Sequence, residues 1–385
     1  MRGKALLSAL YRAALSAVDP ERAVRRALTD GAIRRRLREA RRVGVFAVGK
    51  AARGMFEGIP RGAFDRALVV VPKGYGSPAG RGLEVRVASH PEPDRSSVAA
   101  ARSALRFFSE FRAGDLILCL VSGGASSLLC LPRPGVTLAE KRRRIRELSR
   151  AGASIDALNR LRTSLSRVKG GGLGRATEAT LVTLVLSDVP GDRPELVGSG
   201  PTLRGGRGDL VRVVGSNRMG LEAARDFARR RGLEPRMRAR RLAGEAAEEG
   251  RRVGRCALNL PTGGVLIAGG ETTVRLTPLS GRGRSRRGGR TLELGLGAAE
   301  VLDGSRAALL AAGSDGRDGS SRAAGAFTDG STLERASRLG LSAERSLARH
   351  DTEPFFDALG DLLVTGPTGT NVCDWVFAIG PKTLI

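Results

Sequence analysis

Residues 181–202 read LVTLVLSDVPGDRPELVGSGPT. Leu181 to Leu186 is an unbroken run of apolar and β-branched residues, the pattern of a buried strand. The run stops at Ser187-Asp188. Gly191-Asp192 follows, and then the turn Gly198-Ser199-Gly200-Pro201-Thr202. Two carboxylates among glycines, just beyond the carboxyl end of a buried strand, occupy the place where an open α/β sheet binds its ligands.

The same arrangement recurs on either side of this stretch. Val43–Val48 reads as a strand that ends in Gly49-Lys50, and a helix is expected from Ala51 to about Gly58. Ala67–Val71 and Leu83–Ala88 are further strands. The second leads into His90-Pro91-Glu92-Pro93-Asp94, a loop stiffened by its prolines. Asp94 is placed to cap a helix over Arg95–Phe111. Asp115–Val121 is a strand that ends in Ser122-Gly123-Gly124-Ala125-Ser126-Ser127, and 137–166 reads as helical, followed by Lys169-Gly170-Gly171-Gly172. A helix is expected over 217–230, and the Arg- and Glu-rich segment 231–262 reads as a linker with a helix at Gly244–Val253. Beyond it, strands are expected at Gly264–Ala268, Val274–Leu276, Ala307–Ala312 and Trp375–Ile379. Helices are expected at Thr291–Leu302, 332–348 and Asp351–Ala358, with a flexible basic loop from Ser280 to Arg287. Strands alternating with helices in both halves predict two α/β domains with largely parallel sheets.

Composition narrows the class. With 385 residues the chain is long enough for two domains, and 41% hydrophobic content gives each a core. The N-terminal residues read as amphipathic helices, not a signal peptide. Asp19 is expected to cap the second of these, with Pro20 in its first turn. No apolar run is long enough to span a bilayer. Four scattered cysteines and two histidines argue against a zinc site or a disulfide framework, and the cytoplasm is the expected compartment. The net charge of +26 raises the question of nucleic acid. The basic residues are spread along the whole chain, however, and with 4% aromatics there is no stacking platform for single strands, so no specific nucleic-acid partner is expected.

The loop chemistry is more specific. Only six of the 65 basic residues are lysine, and Lys50 sits at a strand end, where a compact ammonium can meet a phosphate. Ser122, Gly123, Gly124 and Ser126 have the make-up of an anion cradle, and Lys169 with Gly170 and Gly171 forms another basic turn. Glu271-Thr272, Asp315 and Asn371 lie on further Gly/Thr turns, and Arg290 opens a helix after Gly288-Gly289. Neither GxxxxGK[ST] nor GxGxxG occurs. Cationic groups for phosphate oxygens together with carboxylates for Mg²⁺ are the parts of phosphoryl transfer, which points to ATP and Mg²⁺. Asp188, Asp192 and Glu271 are the metal candidates. Asp188 also stands with Lys50 and Arg290 as a candidate for the chemical step. His90 reads first as an ordered loop histidine, with a general base as the second reading.

Taken together, FAVGKAA (46–52), HPEPD (90–94), SGGASSLL (122–129), LSRVKGG (165–171), LVLSDVPGD (184–192), SGPT (199–202), GGETTV (269–274), GGR (288–290), SDGRDG (314–319) and TGPTGTNV (365–372) resemble the glycerate 2-kinase family that ends in a MOFRL domain. The resemblance implies a Rossmann-like N-terminal α/β/α sandwich over 1–240, a smaller C-terminal α/β domain over 260–385, and an active site in the cleft between them. It also implies ATP-dependent phosphorylation of D-glycerate at its 2-hydroxyl, with Lys50 and Arg290 as the essential groups. Monomer and homodimer are both compatible with the sequence. The chain departs from the family pattern at Thr291-Leu292 (usually Asn-Gln), at Ser320-Ser321-Arg322 and at Cys373 (usually Asn). The first alternative reading is a hydroxypyruvate reductase using NAD(P)H, a label that members of the family have carried; the second, behind it, is a nucleic-acid-binding protein, raised by the net charge.

Overall fold

The computed structural model describes residues 2–206, 208–276 and 286–382. In chain order the elements begin with α1 (Arg2–Ala17), α2 (Pro20–Ala27), α3 (Gly31–Glu39), β1 (Val43–Val48), α4 (Ala52–Glu57), β2 (Arg66–Pro72) and β3 (Leu83–Ala88). Then come α5 (Arg95–Ser109), β4 (Leu116–Ser122), α6 (Ala125–Leu128), α7 (Leu138–Arg150), α8 (Ile155–Ser164), β5 (Thr180–Leu186) and β6 (Leu210–Gly215). Next are α9 (Asn217–Arg230), β7 (Glu234–Met237), α10 (Ala246–Leu258), β8 (Gly264–Gly270), α11 (Arg290–Leu302) and β9 (Ala308–Gly313). The chain closes with β10 (Gly325–Asp329), α12 (Thr332–Arg338), α13 (Ala343–Arg349), α14 (Glu353–Ala358), β11 (Leu362–Leu363) and β12 (Asp374–Ile379). No helix among the described residues is long and apolar enough to cross a membrane.

The contacts define two compact units. One holds Val18–Ser216 with Gly369–Val372; the other holds α1, Asn217–Thr368 and the stretch from Cys373 onward. The division at Ser216/Asn217 lies upstream of the 231–262 segment that reads as a linker in the sequence, and α1 belongs with the later residues.

In the first unit β1–β6 form one parallel sheet in the order β3-β2-β1-β4-β5-β6. This is the doubly wound dinucleotide-fold order, and its direction of winding reverses between β1 and β4. The central strands are buried along nearly their whole length, which is why they read as continuous apolar runs. Alternate residues Phe46 and Val48 of β1, Leu68 and Val70 of β2, and Ile117 and Val121 of β4 pack with Ala101, Ala104 and Phe108 of α5. Phe46 and Phe108 meet edge-on at 5.2 Å. Helix α5 starts where the sequence expects it, with Asp94 and Ser97 forming a reciprocal capping box. Asp19 caps α2, with Pro20 in its first turn. The expected helix over 137–166 is two helices, α7 and α8, because Gly152 turns the chain at φ +73.

The second unit corrects three expectations. Its sheet, β11-β10-β9-β12-β8-β7, is mixed, and most of its pairings are antiparallel. β7, β8 and β9 run the same way, linked by the helical crossovers α10 and α11. The last strand, β12, then inserts between β8 and β9 and runs against both. β10 follows β9 through a loop too short for a crossover, so it too pairs antiparallel. The strand expected at Val274–Leu276 is absent; in this region only the isolated bridge from Thr273 to Glu245 forms. The helix expected over 332–348 is α12 and α13, separated at Gly340 (φ +68). Most of the basic loop expected from Ser280 to Arg287 lies outside the described residues.

Candidate active site

At the switch point of the first sheet the turns leaving β1 and β4 are laced together. Gly49 has φ +126, and a Cβ there would lie 2.1 Å from Ser122 Oγ and 2.6 Å from Ser122 O, so only glycine fits. The Lys50 amide donates to Gly123 O at 2.9 Å, and the Ala51 amide donates to Ser122 Oγ at 3.1 Å. The two glycines that follow Ser122 make room for side chains. A Cβ on Gly123 would sit 1.9 Å from Asp188 Oδ2. One on Gly124 (φ +86) would sit 3.2 Å from His90 Cδ2 and 3.3 Å from Lys50 Cγ. The sequence suggests that these glycines bring backbone close to an anion. In the structure the space beside them is filled by Asp188, His90 and Lys50. Burial, and then the charge of Lys50, push the His90 imidazole down to about 4, so it is neutral near pH 7.

The Lys169 turn joins the same loop from the other side. Lys169 is buried, and Nζ donates to Ser126 O at 2.6 Å and to Ser126 Oγ. Burial, reinforced by Lys141, holds its ammonium well below the ordinary lysine value. The Gly170 and Gly171 amides donate to Ser199 O (2.8 Å) and Gly200 O (2.7 Å), so the KGG and SGPT turns lie against each other. Beside them opens a pocket of about 390 Å³, lined by Arg160, Thr163, Gly170, Glu195, Ser199 and Gly200 among others. Asp192 stands on its own left-handed turn (φ +53), four residues past Asp188, and Asn371 is half-buried in the short Gly369–Val372 segment.

The second unit gathers a different set. Arg290, the first residue of α11, donates Nε to Asp374 Oδ2 at 2.6 Å and Nη2 to Asp374 Oδ1 at 3.1 Å. Its Nη1 donates to Glu271 Oε1. Burial pushes the Asp374 carboxyl up to about 7, with Arg290 pulling against that shift. For Arg290 itself burial works downward, but Asp374, Glu271 and Asp318 together hold the guanidinium above its ordinary range. Asp318 is buried behind it and accepts the Leu292 amide at 2.8 Å. Asp315 and Asp374 flank Gly313, while Thr272 is buried. Asp374 has no signal in the sequence beyond lying at the start of a strand; its importance appears only once β12 is placed between β8 and β9.

Residues 6–216 match a family model described as domain of unknown function DUF4147, and residues 264–374 match the MOFRL family. The chain is 32% identical to a protein of Pyrococcus horikoshii named glycerate 2-kinase, over 95% of this chain and 94% of that protein. A solved structure from Thermotoga maritima described as a glycerate kinase superposes with a TM-score of 0.85 at 31% identity, covering 98% of this chain and 99% of that one. The chain belongs to the glycerate 2-kinase family. A relative from Agrobacterium vitis, 36% identical over 96% of this chain and 92% of its own length, carries the name "Putative hydroxypyruvate reductase".

Where this member departs from the glycerate 2-kinase pattern, the structure gives the changed residues defined partners. Thr291 is buried, and its hydroxyl donates to Ala324 O at 3.2 Å. Leu292 joins a small core with Phe355 and Phe356. Glu293 meets His350 Nδ1 at 2.9 Å. Ser320 Oγ donates to Arg286 O at 2.8 Å, Ser321 is buried, and Arg322 pairs with Asp357 at 2.6 Å. Cys373 has φ +68, and its Sγ lies 3.8 Å from Glu271 Oε2. Among the described residues no group of three His, Cys, Asp or Glu side chains forms a metal cage. A Mg²⁺ that enters on ATP needs only one or two carboxylates besides phosphate oxygens and water. The Asp188 carboxylate, set against Gly123, fits that requirement. Of the other two candidates, Asp192 lies on its left-handed turn and Glu271 is salt-bridged to Arg290.

Proposed function

We propose that the chain is an ATP-dependent glycerate 2-kinase, transferring the γ-phosphoryl group of ATP to the 2-hydroxyl of D-glycerate to give 2-phosphoglycerate and ADP. The observation that carries this reading is the meeting of Lys50 with Gly123, Gly124 and Asp188 at the β1/β4 switch point, in a chain of this family. Phosphoryl transfer asks a protein chiefly for positioning and charge compensation. Lys50 supplies positive charge from the strand-end turn, and its amide bond to Gly123 O holds that turn against the loop after β4. Bound with ATP, Mg²⁺ would neutralise phosphate charge, held by Asp188, with Asp192 as the next carboxylate along the chain. Arg290 uses three of its five N–H groups on Asp374 and Glu271. Its side chain is 34% exposed, which leaves donors for a substrate carboxylate.

The test is a coupled assay for ADP with ATP, Mg²⁺ and D-glycerate, with the phosphorylated carbon identified by NMR. Glycerate-dependent ADP release with phosphate on C2 is expected. Absence of turnover, or phosphate on C3, overturns the reading. The doubly wound sheet order and the name of the Agrobacterium vitis relative favour one alternative, NAD(P)H-dependent reduction of hydroxypyruvate. The turn after β1, Gly49-Lys50-Ala51, lacks the glycine fingerprint of a dinucleotide site. Oxidation of NADH or NADPH by hydroxypyruvate without ATP would favour that alternative.

A further inference from the structure

His90 stands at the same edge of the parallel sheet as Gly49-Lys50 and Gly123-Gly124, because it follows β3 just as those turns follow β1 and β4. Its loop is fixed from several directions. Ser127 Oγ donates to Pro91 O at 2.6 Å, the Ser89 amide donates to Ser96 Oγ at 3.1 Å, and the Asp94 capping box pins the start of α5. The imidazole is thereby held over Gly124, with Nε2 3.3 Å from where a Cβ would be and the stem of Lys50 at the same distance.

The ring nitrogens of half-buried His90 are not among the polar atoms sealed from solvent, so a ligand can reach them. Among the described residues neither ring nitrogen of His90 has a protein hydrogen-bond partner. Glu92, the nearest carboxylate along the chain, is committed to Arg142 and Arg146. The charged group that acts on the ring is Lys50. The result is an imidazole with an open nitrogen beside the one cation expected to face transferring phosphate.

We infer that His90 is a catalytic residue of the glycerate 2-kinase reaction, its open ring nitrogen accepting the proton of the attacking 2-hydroxyl. This rests on the kinase reading above. The glycerate O2–P bond forms while the bond from the γ-phosphorus to the β,γ-bridging oxygen breaks. That oxygen departs on ADP with the electron pair, and the O2 proton passes to His90 and then to solvent. The imidazole is neutral near pH 7, and the negative charge of a phosphate bound beside Lys50 would offset that cation and raise the ring's proton affinity toward the operating pH.

The experiment compares wild type, His90→Ala and His90→Gln in the ADP-release assay, with and without added imidazole. The expected result for His90→Ala is a loss of about 10²–10³-fold in kcat, with KM for ATP and for glycerate changed less than about threefold. Added imidazole should restore part of the lost rate to His90→Ala but not to His90→Gln, whose side chain fills the space. If His90→Ala fails to fold, His90→Gln carries the kcat test alone. Either variant keeping wild-type kcat, or a folded His90→Ala with lost kcat that imidazole leaves unrestored, overturns the inference. These outcomes are read only against a wild type that turns over glycerate; an inactive wild type overturns the kinase reading instead.

Discussion

Asp374 grips Arg290 through both carboxylate oxygens, Nε to Oδ2 at 2.6 Å and Nη2 to Oδ1 at 3.1 Å, across 84 residues of sequence. The pairing follows from the inserted strand. β12 enters between β8 and β9, so its first residue lies beside the end of β8, where Glu271 follows, and reaches the start of α11. Two parallel N–H···O bonds fix the plane of a guanidinium as a single bond cannot. Asp374 is buried and Arg290 partly exposed, so the aspartate acts through the arginine.

Replacing Asp374 with Asn puts an amide N–H against a guanidinium N–H and removes the ionised partner. At pH 8, above the carboxyl's pKa of about 7, the expected loss of stability is about 2 kcal/mol, read from urea midpoints. Activity should fall at least about tenfold, with KM for glycerate rising, as expected when a carboxylate clamp loses its orientation. A variant with wild-type stability and wild-type KM would show that the grip does no orienting.

Lys50→Ala leaves the backbone bond to Gly123 O in place and removes only the ammonium. The expected cost is about 10²–10³-fold in kcat, the range for one preorganised charge-stabilising group, with little change in thermal midpoint. A second readout is independent of turnover. With Lys50 gone, the His90 pKa should rise from about 4 but stay below 6.5, because burial, the larger cause, remains. An NMR titration of the imidazole proton checks this, and a His90 pKa unmoved by the substitution would mean that the two side chains do not sense each other.

Gly123→Ala asks whether the glycine exists for Asp188. The new methyl would stand 1.9 Å from Asp188 Oδ2, so the carboxylate must move. A stability loss of about 1–3 kcal/mol is expected from overpacking, with at least about a tenfold fall in kcat. Gly80→Ala, whose Cβ meets nothing within 4 Å, is the control and should change stability by less than about 0.5 kcal/mol. Equal behaviour of the two variants would remove the packing argument for Asp188.

What the sequence discloses tracks burial. β1, β2, β4 and β5 are legible because a central parallel strand is covered on both faces and must be apolar throughout. β6, at the sheet edge with exposed Arg212, and β7, with the polar residues of EPRM, carry no such run, and neither is expected from the sequence. β10 is only GAFTD, too short for a period to show. The site divides in the same way. Lys50 and the SGGASS loop announce themselves because strand-end turns are local features. His90 is a candidate by residue type alone and Asp374 not at all, because what distinguishes them is a neighbour brought in by tertiary packing: Gly124 for one, Arg290 for the other.

Lys169 offers a prediction whose sign comes from linkage. Its buried ammonium is held well below the ordinary value of 10.5, by burial first and by Lys141 next, while Nζ keeps Ser126 as its partner. In the unfolded chain the same amine holds its proton up to about 10.5. Between the depressed folded value and 10.5 the unfolded state therefore binds more proton, so this residue's contribution to stability rises with pH and is lost as pH falls. Lys169→Met removes that dependence and the bonds to Ser126, and groups other than its charged neighbours titrate alike in both proteins. The stability of wild type relative to Lys169→Met should accordingly increase with pH between that depressed value and about 10, on top of a constant offset from the lost hydrogen bonds. Urea midpoints at three or four pH values in that range measure the slope. A difference that stays flat with pH would mean that Lys169 keeps an ordinary ammonium in the folded protein, stabilised by its bonds to Ser126.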